Sequence, residues 1–168
     1  MPRLNCYQQG APVLTDARTS PSAERLVRAL RQAGLRLTPQ RLAICRYLAE
    51  TPSHPTAQEI YRALKPEYPS LSLATVYNAL ETLVSLGVIY ALGDAGDDAT
   101  HYDANTEPHL NLVCVRCHRI VDLPHQAITQ LEQEAEARSG YRILGARLVY
   151  YGLCPDCQRQ AASSTNAG

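Results

Sequence analysis

The sequence predicts an α+β protein with a helical domain first and a small α/β domain second. Two observations predict this order. Residues 20–87 hold four amphipathic stretches that each begin with a helix-capping serine or threonine, and residues 88–151 hold short apolar runs bounded by turn residues. Two Cys-x2-Cys pairs follow two of those runs, in a chain that has 6 cysteines. A length of 168 residues leaves room for two small domains.

Each predicted helix has its own start signal. Residues 1–20 lack periodicity, which predicts a flexible N-terminal arm and makes Cys6 an incidental thiol. Proline suits the first position of a helix, and a glutamate three residues after a threonine completes a capping box. Cys45 lies at core spacing in the second helix and is predicted to be a small core residue. The start signals are Ser20–Pro21, Thr38–Pro39, Thr56 with Glu59, and Ser72.

Residues 21–104 are predicted to form a winged helix-turn-helix domain that binds DNA. A prolyl turn joins the third and fourth helices, and two strand-like runs, 88–92 and 100–103, flank a loop rich in Gly and Asp. The fourth helix is the expected reader of the major groove, because its polar face carries side chains that suit base edges. A polar face is equally often just solvated. The candidate DNA contacts are Thr75, Tyr77 and Asn78 on this helix and Arg36 in the loop before the second helix.

Charge is distributed unevenly along a chain whose formal net charge is zero. Residues 22–92 carry a net charge of +3 and residues 93–168 a net charge of −4. We therefore expect only the first half to meet a polyanion, namely double-stranded DNA. No apolar run approaches the roughly 20 residues that span a bilayer. No signal-peptide pattern is present, so we expect a cytoplasmic protein.

Four cysteines are predicted to hold a structural zinc ion. A Cys-x2-Cys turn aims two sulfurs at one point, and two such turns supply a closed tetrahedral site. Two alternatives are disulfides and thiols that simply pack. A rival from another class is a zinc-thiol redox protein in which the pairs cycle between thiol and disulfide. The candidate zinc ligands are Cys114, Cys117, Cys154 and Cys157.

The second domain, residues 109–158, is expected to mediate dimerisation after a hinge at 105–108. Strands are predicted near 109–114, 119–123 and 142–151, with a helix near 125–138 whose apolar stripe is Ile128, Leu131 and Ala135. Residues 159–168 are small and polar, which predicts a disordered tail.

Histidine and aspartate residues form a second constellation. In the first strand of this domain, His109 and Asn111 share one face, opposite the face of Cys114. Imidazole with carboxylate suits iron(II), manganese(II) or zinc(II). The remaining members are His54 before the third helix, Asp103 at the end of the wing, and Asp122.

These motifs together resemble the ferric uptake regulator family of bacterial metal-responsive repressors. The motifs that carry the resemblance are residues 34–41 (GLRLTPQR), 54–57 (HPTA), 74–80 (ATVYNAL), 114–117 (CVRC) and 154–157 (CPDC). The resemblance implies a homodimer whose winged helices bind a palindromic, AT-rich operator once a regulatory metal is bound. It is nearest to the peroxide-sensing branch, whose iron or manganese ligands fall here on His54, Asp103, His109 and Asp122. An aspartate at position 122 is typical of that branch.

The sequence departs from the family at Asn111, where the family has a second strand histidine. The regulatory set therefore comprises four strong ligands, with Asn111, His101 and Glu107 as candidate additions. The resemblance implies a repressor that senses peroxide and is not an enzyme. The alternative within the family is a regulator of iron, manganese or zinc uptake without peroxide sensing.

Overall fold

A computed structural model describes residues 22–125 and 127–165. The described chain divides into two compact units, one comprising 22–94 and 98–107, and the other comprising 95–97 with the described residues from 108 onward. The predicted N-terminal arm and Cys6 lie outside the described residues. The elements are α1 (Ala23–Gln32), α2 (Pro39–Glu50), α3 (Ala57–Leu64), α4 (Leu73–Ser85), β1 (Tyr90–Asp94), β2 (Thr100–Asp103), β3 (His109–Cys114), β4 (Ile120–Pro124), α5 (Ala127–Ser139), β5 (Leu148–Gly152) and α6 (Pro155–Thr165). The predicted α+β class is confirmed.

Capping side chains begin the first four helices. Thr38 caps α2, with proline at its first position, and Ser72 caps α4. Thr56 and Glu59 form the predicted capping box of α3, each accepting from the other's backbone N–H. The first helix differs from the prediction: its N-cap is Ser22, whose hydroxyl accepts from the third N–H of the helix, so it begins two residues later than the Ser20–Pro21 signal predicts.

The core of the first unit is formed where α1, α2, α3 and α4 pack together. Its completely buried centre includes Leu26, Leu30, Ile44, Ile60, Val76, Leu80 and Leu83. Cys45 is part of this core, as predicted, and burial raises the pKa of its thiol to about 11. Such a thiol is neutral at pH 7 and behaves as a small apolar side chain.

The wing is a two-stranded antiparallel ribbon of β1 and β2. Its register shifts between Ala91 and Gly93, and Gly93 has a φ of +82°, a value that glycine adopts without strain. Arg25 of α1 holds the base of the wing, where the chain enters β1 and leaves β2. Its guanidinium donates to the carbonyls of Val88, before β1, and Ala104, after β2, over 3.0 and 3.1 Å.

The second unit is built on a three-stranded sheet in the order β4-β3-β5, with β3 antiparallel to β4 and parallel to β5. The strand β5 begins at Leu148, later than the predicted 142. The helix α5 has one buried apolar residue, Ile128, whereas Leu131 is 56% exposed and Ala135 is exposed as well. Of the predicted apolar stripe of α5, only Ile128 is therefore buried within the described chain.

The last described residues form a helix instead of the expected disordered tail. The helix α6 runs through residue 165, and helix signals at its start account for it: Pro155 occupies the first position and Asp156 lies in the first turn. Among the residues that the structure describes, no helix has the length and apolar character needed to cross a membrane.

Candidate metal centres

The four cysteines come together at one end of the second unit. Cys114 ends β3 and Cys117 lies in the turn to β4, while Cys154 follows β5 and Cys157 lies in the first turn of α6. Their four sulfur atoms all lie within 4.8 Å of one another. His118 closes the first turn with a φ of +61°, and its N–H donates to the Cys114 carbonyl over 2.8 Å. The two Cys-x2-Cys turns thus form a single sulfur cluster.

The dimensions of this cluster fit a zinc ion. The sulfurs of Cys117 and Cys154 are 3.7 Å apart. Two thiolates bound to one tetrahedral zinc ion are separated by about 3.8 Å, since each Zn–S bond is about 2.3 Å. A disulfide would require about 2.0 Å. All four cysteines are free thiols in the structure, so the geometry favours a tetrahedral ion over disulfides.

The environments of these thiols differ. Burial raises the pKa of Cys114, but backbone N–H donors, first that of Cys154 at 3.3 Å, outweigh burial and lower this pKa to about 6. Burial raises the pKa of Cys117 to about 11 and raises that of Cys157 as well. Without an ion, four thiolates so close together would repel one another. A divalent cation removes this repulsion and stabilises all four in the charged form.

A buried histidine–aspartate pair lies in the first unit. His54 Nε2 and Asp103 Oδ1 are 3.8 Å apart, and their side chains are 4% and 3% exposed. His54 precedes α3 and Asp103 ends β2. His101 joins these segments, because its Nδ1 donates to the His54 carbonyl over 2.7 Å. The N–H of Tyr102 donates to the Pro55 carbonyl over 3.1 Å, so two hydrogen bonds fix the pair's backbone.

A second buried pair lies in the other unit. His109 Nε2 and Asp122 Oδ1 are also 3.8 Å apart, with side chains 4% and 9% exposed. Asn111 is directly opposite Asp122 across the antiparallel strands β3 and β4, so both side chains lie on one face of the sheet with His109. The amide nitrogen of Asn111 is 3.2 Å from His109 Nε2.

Each pair has the spacing of two ligands on one ion. At 3.8 Å, nitrogen and oxygen are too far apart for a hydrogen bond. Two donors that each lie about 2.1 Å from an ion can be up to about 4.2 Å apart. Imidazole and carboxylate are suitable donors for iron(II), manganese(II) and zinc(II). Each pair by itself supplies two ligands, which is fewer than these ions require.

The other candidate ligands are placed differently. His101 is buried and hydrogen-bonded to the loop that carries His54, which is a positioning contact. Glu107 is exposed, and its N–H donates to the Asn105 side chain over 3.1 Å. The anchoring role of Arg25 was missed by sequence reasoning, since its partner Thr106 lies 81 residues away and no local pattern marks the contact.

The candidate DNA contacts lie on one helix and in one loop of the first unit. Tyr77 and Asn78 are exposed on α4, with Tyr77 38% exposed. Thr75 is half-buried, and its hydroxyl is 2.8 Å from that of Ser72, the N-cap. Arg36 is exposed between α1 and α2, and its carbonyl accepts from Arg41 over 2.7 Å. The contact between Arg41 and this carbonyl helps to define the loop.

Comparison with known proteins identifies relatives of the chain. The model of the ferric uptake regulator family matches residues 32–151. The chain is 40% identical over 135 residues to the peroxide-responsive repressor PerR of Staphylococcus aureus, which covers 80% of this chain and 90% of the repressor. The Campylobacter jejuni peroxide stress regulator is similar in structure, with a TM-score of 0.65 at 32% identity over 79% of this chain and 98% of that one. The ferric uptake regulator of Pseudomonas aeruginosa, solved with manganese, has a TM-score of 0.65 at 27% identity over 77% and 97% of the two chains.

The family match covers most of the chain, and it includes α2, α3 and α4, the wing, both histidine–aspartate pairs and the first Cys-x2-Cys turn. The peroxide-responsive repressors are among its relatives. The chain belongs to the ferric uptake regulator family.

Proposed function

We propose that the chain is a metal-dependent, DNA-binding repressor that senses peroxide through an iron or manganese ion. The observation that carries this proposal is the pair of buried histidine–aspartate sites, one in each unit. A single ion bound by both pairs would have His54, Asp103, His109 and Asp122 as ligands. The two carboxylates would balance the charge of a divalent ion, and with the two neutral imidazoles they would give it four ligands.

Burial of these groups supports a ligand role. An ionised carboxylate that is removed from water is costly unless a cation or hydrogen-bond donors compensate for its charge. Asp103 and Asp122 are both nearly inaccessible, and each lies next to a buried imidazole. A divalent ion provides this compensation, and it also uses the lone pairs of the neutral imidazoles.

The proposed role of the ion is to fix the relation between the two units. Each unit supplies one pair, so an ion that binds both pairs joins α4 and the wing to the second unit. In a homodimer, two recognition helices must meet half-sites whose spacing is set by the helical repeat of DNA. An ion that binds preferentially to the DNA-competent arrangement shifts the population toward that arrangement. The ion thus acts as the co-repressor.

The proposed partner is a palindromic, AT-rich operator. Tyr77 and Asn78 are exposed on α4, where they would contact base edges, and the exposed Arg36 would contact a phosphate or a narrow minor groove. The net positive charge of residues 22–92 favours approach to the duplex. Thr75, near the N-terminus of α4, is a further expected contact.

Peroxide sensing would use the same ligands. When bound, iron(II) supplies the electrons that reduce hydrogen peroxide. His54 and His109 would be adjacent to that reaction, so oxidation of either imidazole would remove a nitrogen ligand. The two pairs would then no longer hold the units in the DNA-competent arrangement, and the operator would be released. Manganese(II) in the same site would support DNA binding without this sensitivity.

Operator binding by the zinc-loaded protein tests this function. The protein is titrated without oxygen with iron(II), manganese(II) or zinc(II), and the binding of a fluorescent palindromic duplex is measured before and after hydrogen peroxide. We expect iron(II) and manganese(II) to promote binding, and peroxide to release only the iron-loaded protein. His109→Ala should abolish the response to metal, while His125→Ala, which removes an exposed histidine outside both pairs, should preserve it.

Three results would each contradict a different part of the proposal. Metal-stimulated operator binding that peroxide does not reverse would exclude peroxide sensing and would indicate a regulator of metal uptake. Operator binding that is independent of added metal would remove the co-repressor role. A normal response of His109→Ala to metal would show that the histidine–aspartate pairs are not the regulatory site.

A further inference from the structure

The side chain of Asn111 is buried beside the second histidine–aspartate pair and is only partly satisfied. The residue is 2% exposed. Its amide nitrogen is 3.2 Å from His109 Nε2, whereas its oxygen Oδ1 is inaccessible and no described group donates a hydrogen bond to it. A buried carbonyl oxygen without a partner is costly, and such atoms are uncommon in folded proteins. Oδ1 therefore needs a positively charged or hydrogen-bonding partner.

The strands direct Asn111 to the same side of the sheet as His109 and Asp122, the two proposed ligands of the pair. His109 and Asn111 are two residues apart on β3, so their side chains lie on one face, and Asp122 is the direct cross-strand partner of Asn111 on β4. An amide, an imidazole and a carboxylate thus occupy neighbouring positions on this face. Asn111 is 2% exposed as a whole residue, and the side chains of His109 and Asp122 are 4% and 9% exposed.

The contact between Asn111 and His109 cannot persist when His109 binds an ion through Nε2. The amide N–H group uses the lone pair of Nε2, and an ion uses the same lone pair. Rotation of the amide by half a turn exchanges its nitrogen and its oxygen. It then places Oδ1 where Nδ2 lies, 3.2 Å from Nε2. Two donors at right angles on one ion, each about 2.1 Å away, are separated by about 3.0 Å.

We propose that Asn111 is a ligand of the regulatory ion through Oδ1, and that an amide at this position, compared with an imidazole, shifts the relative affinity of the site toward manganese(II) and away from zinc(II). This inference rests on the proposed function, because it assumes that His109 and Asp122 bind the ion. With Asn111 included, the donor set has two imidazole nitrogens and three oxygens. Oxygen donors suit manganese(II), whereas imidazole suits zinc(II) and copper(II). The neutral amide also leaves the charge of the site unchanged.

The test measures metal affinity directly. Full-length protein with its cysteine site loaded with zinc is titrated without oxygen with manganese(II), and separately with zinc(II), against a chelator of known affinity. The variants are Asn111→Ala, Asn111→His and His109→Ala, with His125→Ala as the control. We expect Asn111→Ala to weaken manganese(II) binding by about tenfold or more, and Asn111→His to increase the preference for zinc(II) over manganese(II) by a similar factor.

A spectroscopic readout separates ligation from positioning. Pulsed electron paramagnetic resonance of bound manganese(II) detects the nitrogens of its imidazole ligands. The Asn111→His protein should show one more coupled imidazole nitrogen than the wild type. Zinc content and thermal unfolding of each variant show whether it is folded.

The outcomes are distinct. If Asn111→Ala binds manganese(II) as the wild type does, or more tightly, while His109→Ala has lost the ion, Asn111 is not a ligand and the proposed function stands. If His109→Ala also keeps its second ion, the proposed regulatory site is wrong as well. If Asn111→His gains no coupled nitrogen and no preference for zinc(II), position 111 does not reach the ion and the inference is overturned.

Discussion

Single residues that cap a helix or hold the wing illustrate what a sequence can and cannot reveal. Thr56 and Glu59 form a capping box that is visible from their spacing alone, because both partners lie within one helical turn. Arg25 is equally specific in the structure, but it reaches Val88, Ala104 and Thr106, which are 63 to 81 residues away. In the sequence it is simply one of several arginines on the polar side of a helix. Contacts between residues so far apart in sequence can be identified only once the fold is known.

The anchoring role of Arg25 can be tested by its removal. Arg25→Ala leaves two wing carbonyls and the Thr106 hydroxyl without their donor. We expect the free energy of unfolding to fall by about 2 kcal/mol, because partly buried acceptors lose a charged partner. Arg28→Ala, at an exposed position of the same helix, should change it by less than about 0.5 kcal/mol. Urea unfolding of the two variants provides the comparison, and equal stabilities would show that Arg25 does not hold the wing.

At the scale of elements, local signals predicted the starts of α2, α3 and α4 because the capping residue and its acceptor are neighbours in sequence. The strand β3 was predicted with its observed bounds. Two elements differed for physical reasons. The strand β5 begins only where the parallel pairing of Leu148 with Leu110 begins, which the sequence does not specify. The helix α5 keeps Leu131 exposed, and an apolar stripe in the sequence cannot distinguish a core from a surface for a partner.

The helix α4 is the element whose role is tested most simply. Tyr77→Ala and Asn78→Ala should each weaken operator binding by about 1–3 kcal/mol and reduce sequence preference, because in the proposed complex these exposed side chains contact base edges. Arg36→Ala should weaken binding to all sequences evenly and reduce its salt dependence. Fluorescence anisotropy with operator and scrambled duplexes measures both effects. Unchanged affinity and specificity in both α4 variants would mean that another element reads the operator.

The two Cys-x2-Cys turns join β3, β5 and α6, so the sulfur cluster should stabilise the second unit. Cys114→Ser removes one of four thiolates, and we expect it to lose zinc and to make this unit sensitive to chelators, with a weaker dimer. Cys45→Ala removes a thiol from the core of the other unit and should keep its zinc. Zinc content, thermal unfolding with and without chelator, and the dimer dissociation constant are the measurements. Full zinc content and an unchanged dimer in Cys114→Ser would contradict the structural role of the cluster.

For the whole molecule, the sequence was most informative where function restricts residue types. The cysteine spacing predicted the sulfur cluster, and the histidines and aspartates predicted as ligands are found as two buried pairs. The sequence did not reveal how they are held. The hydrogen bond from His101 to the His54 carbonyl and the unsatisfied oxygen of Asn111 depend on side-chain placement. The proposed use of both pairs by one ion is therefore the central claim.

Metal stoichiometry of single-histidine variants tests this claim most directly. His54 and His109 belong to different units, and we measure how many manganese(II) ions each chain binds beyond its structural zinc in wild type, His54→Ala, His109→Ala and the control His125→Ala. If one ion uses both pairs, the wild type and the control bind one ion per chain, and either other variant loses that same ion. A wild type that binds two ions, of which each variant loses only its own, or a variant that keeps the ion at wild-type affinity, would contradict the account.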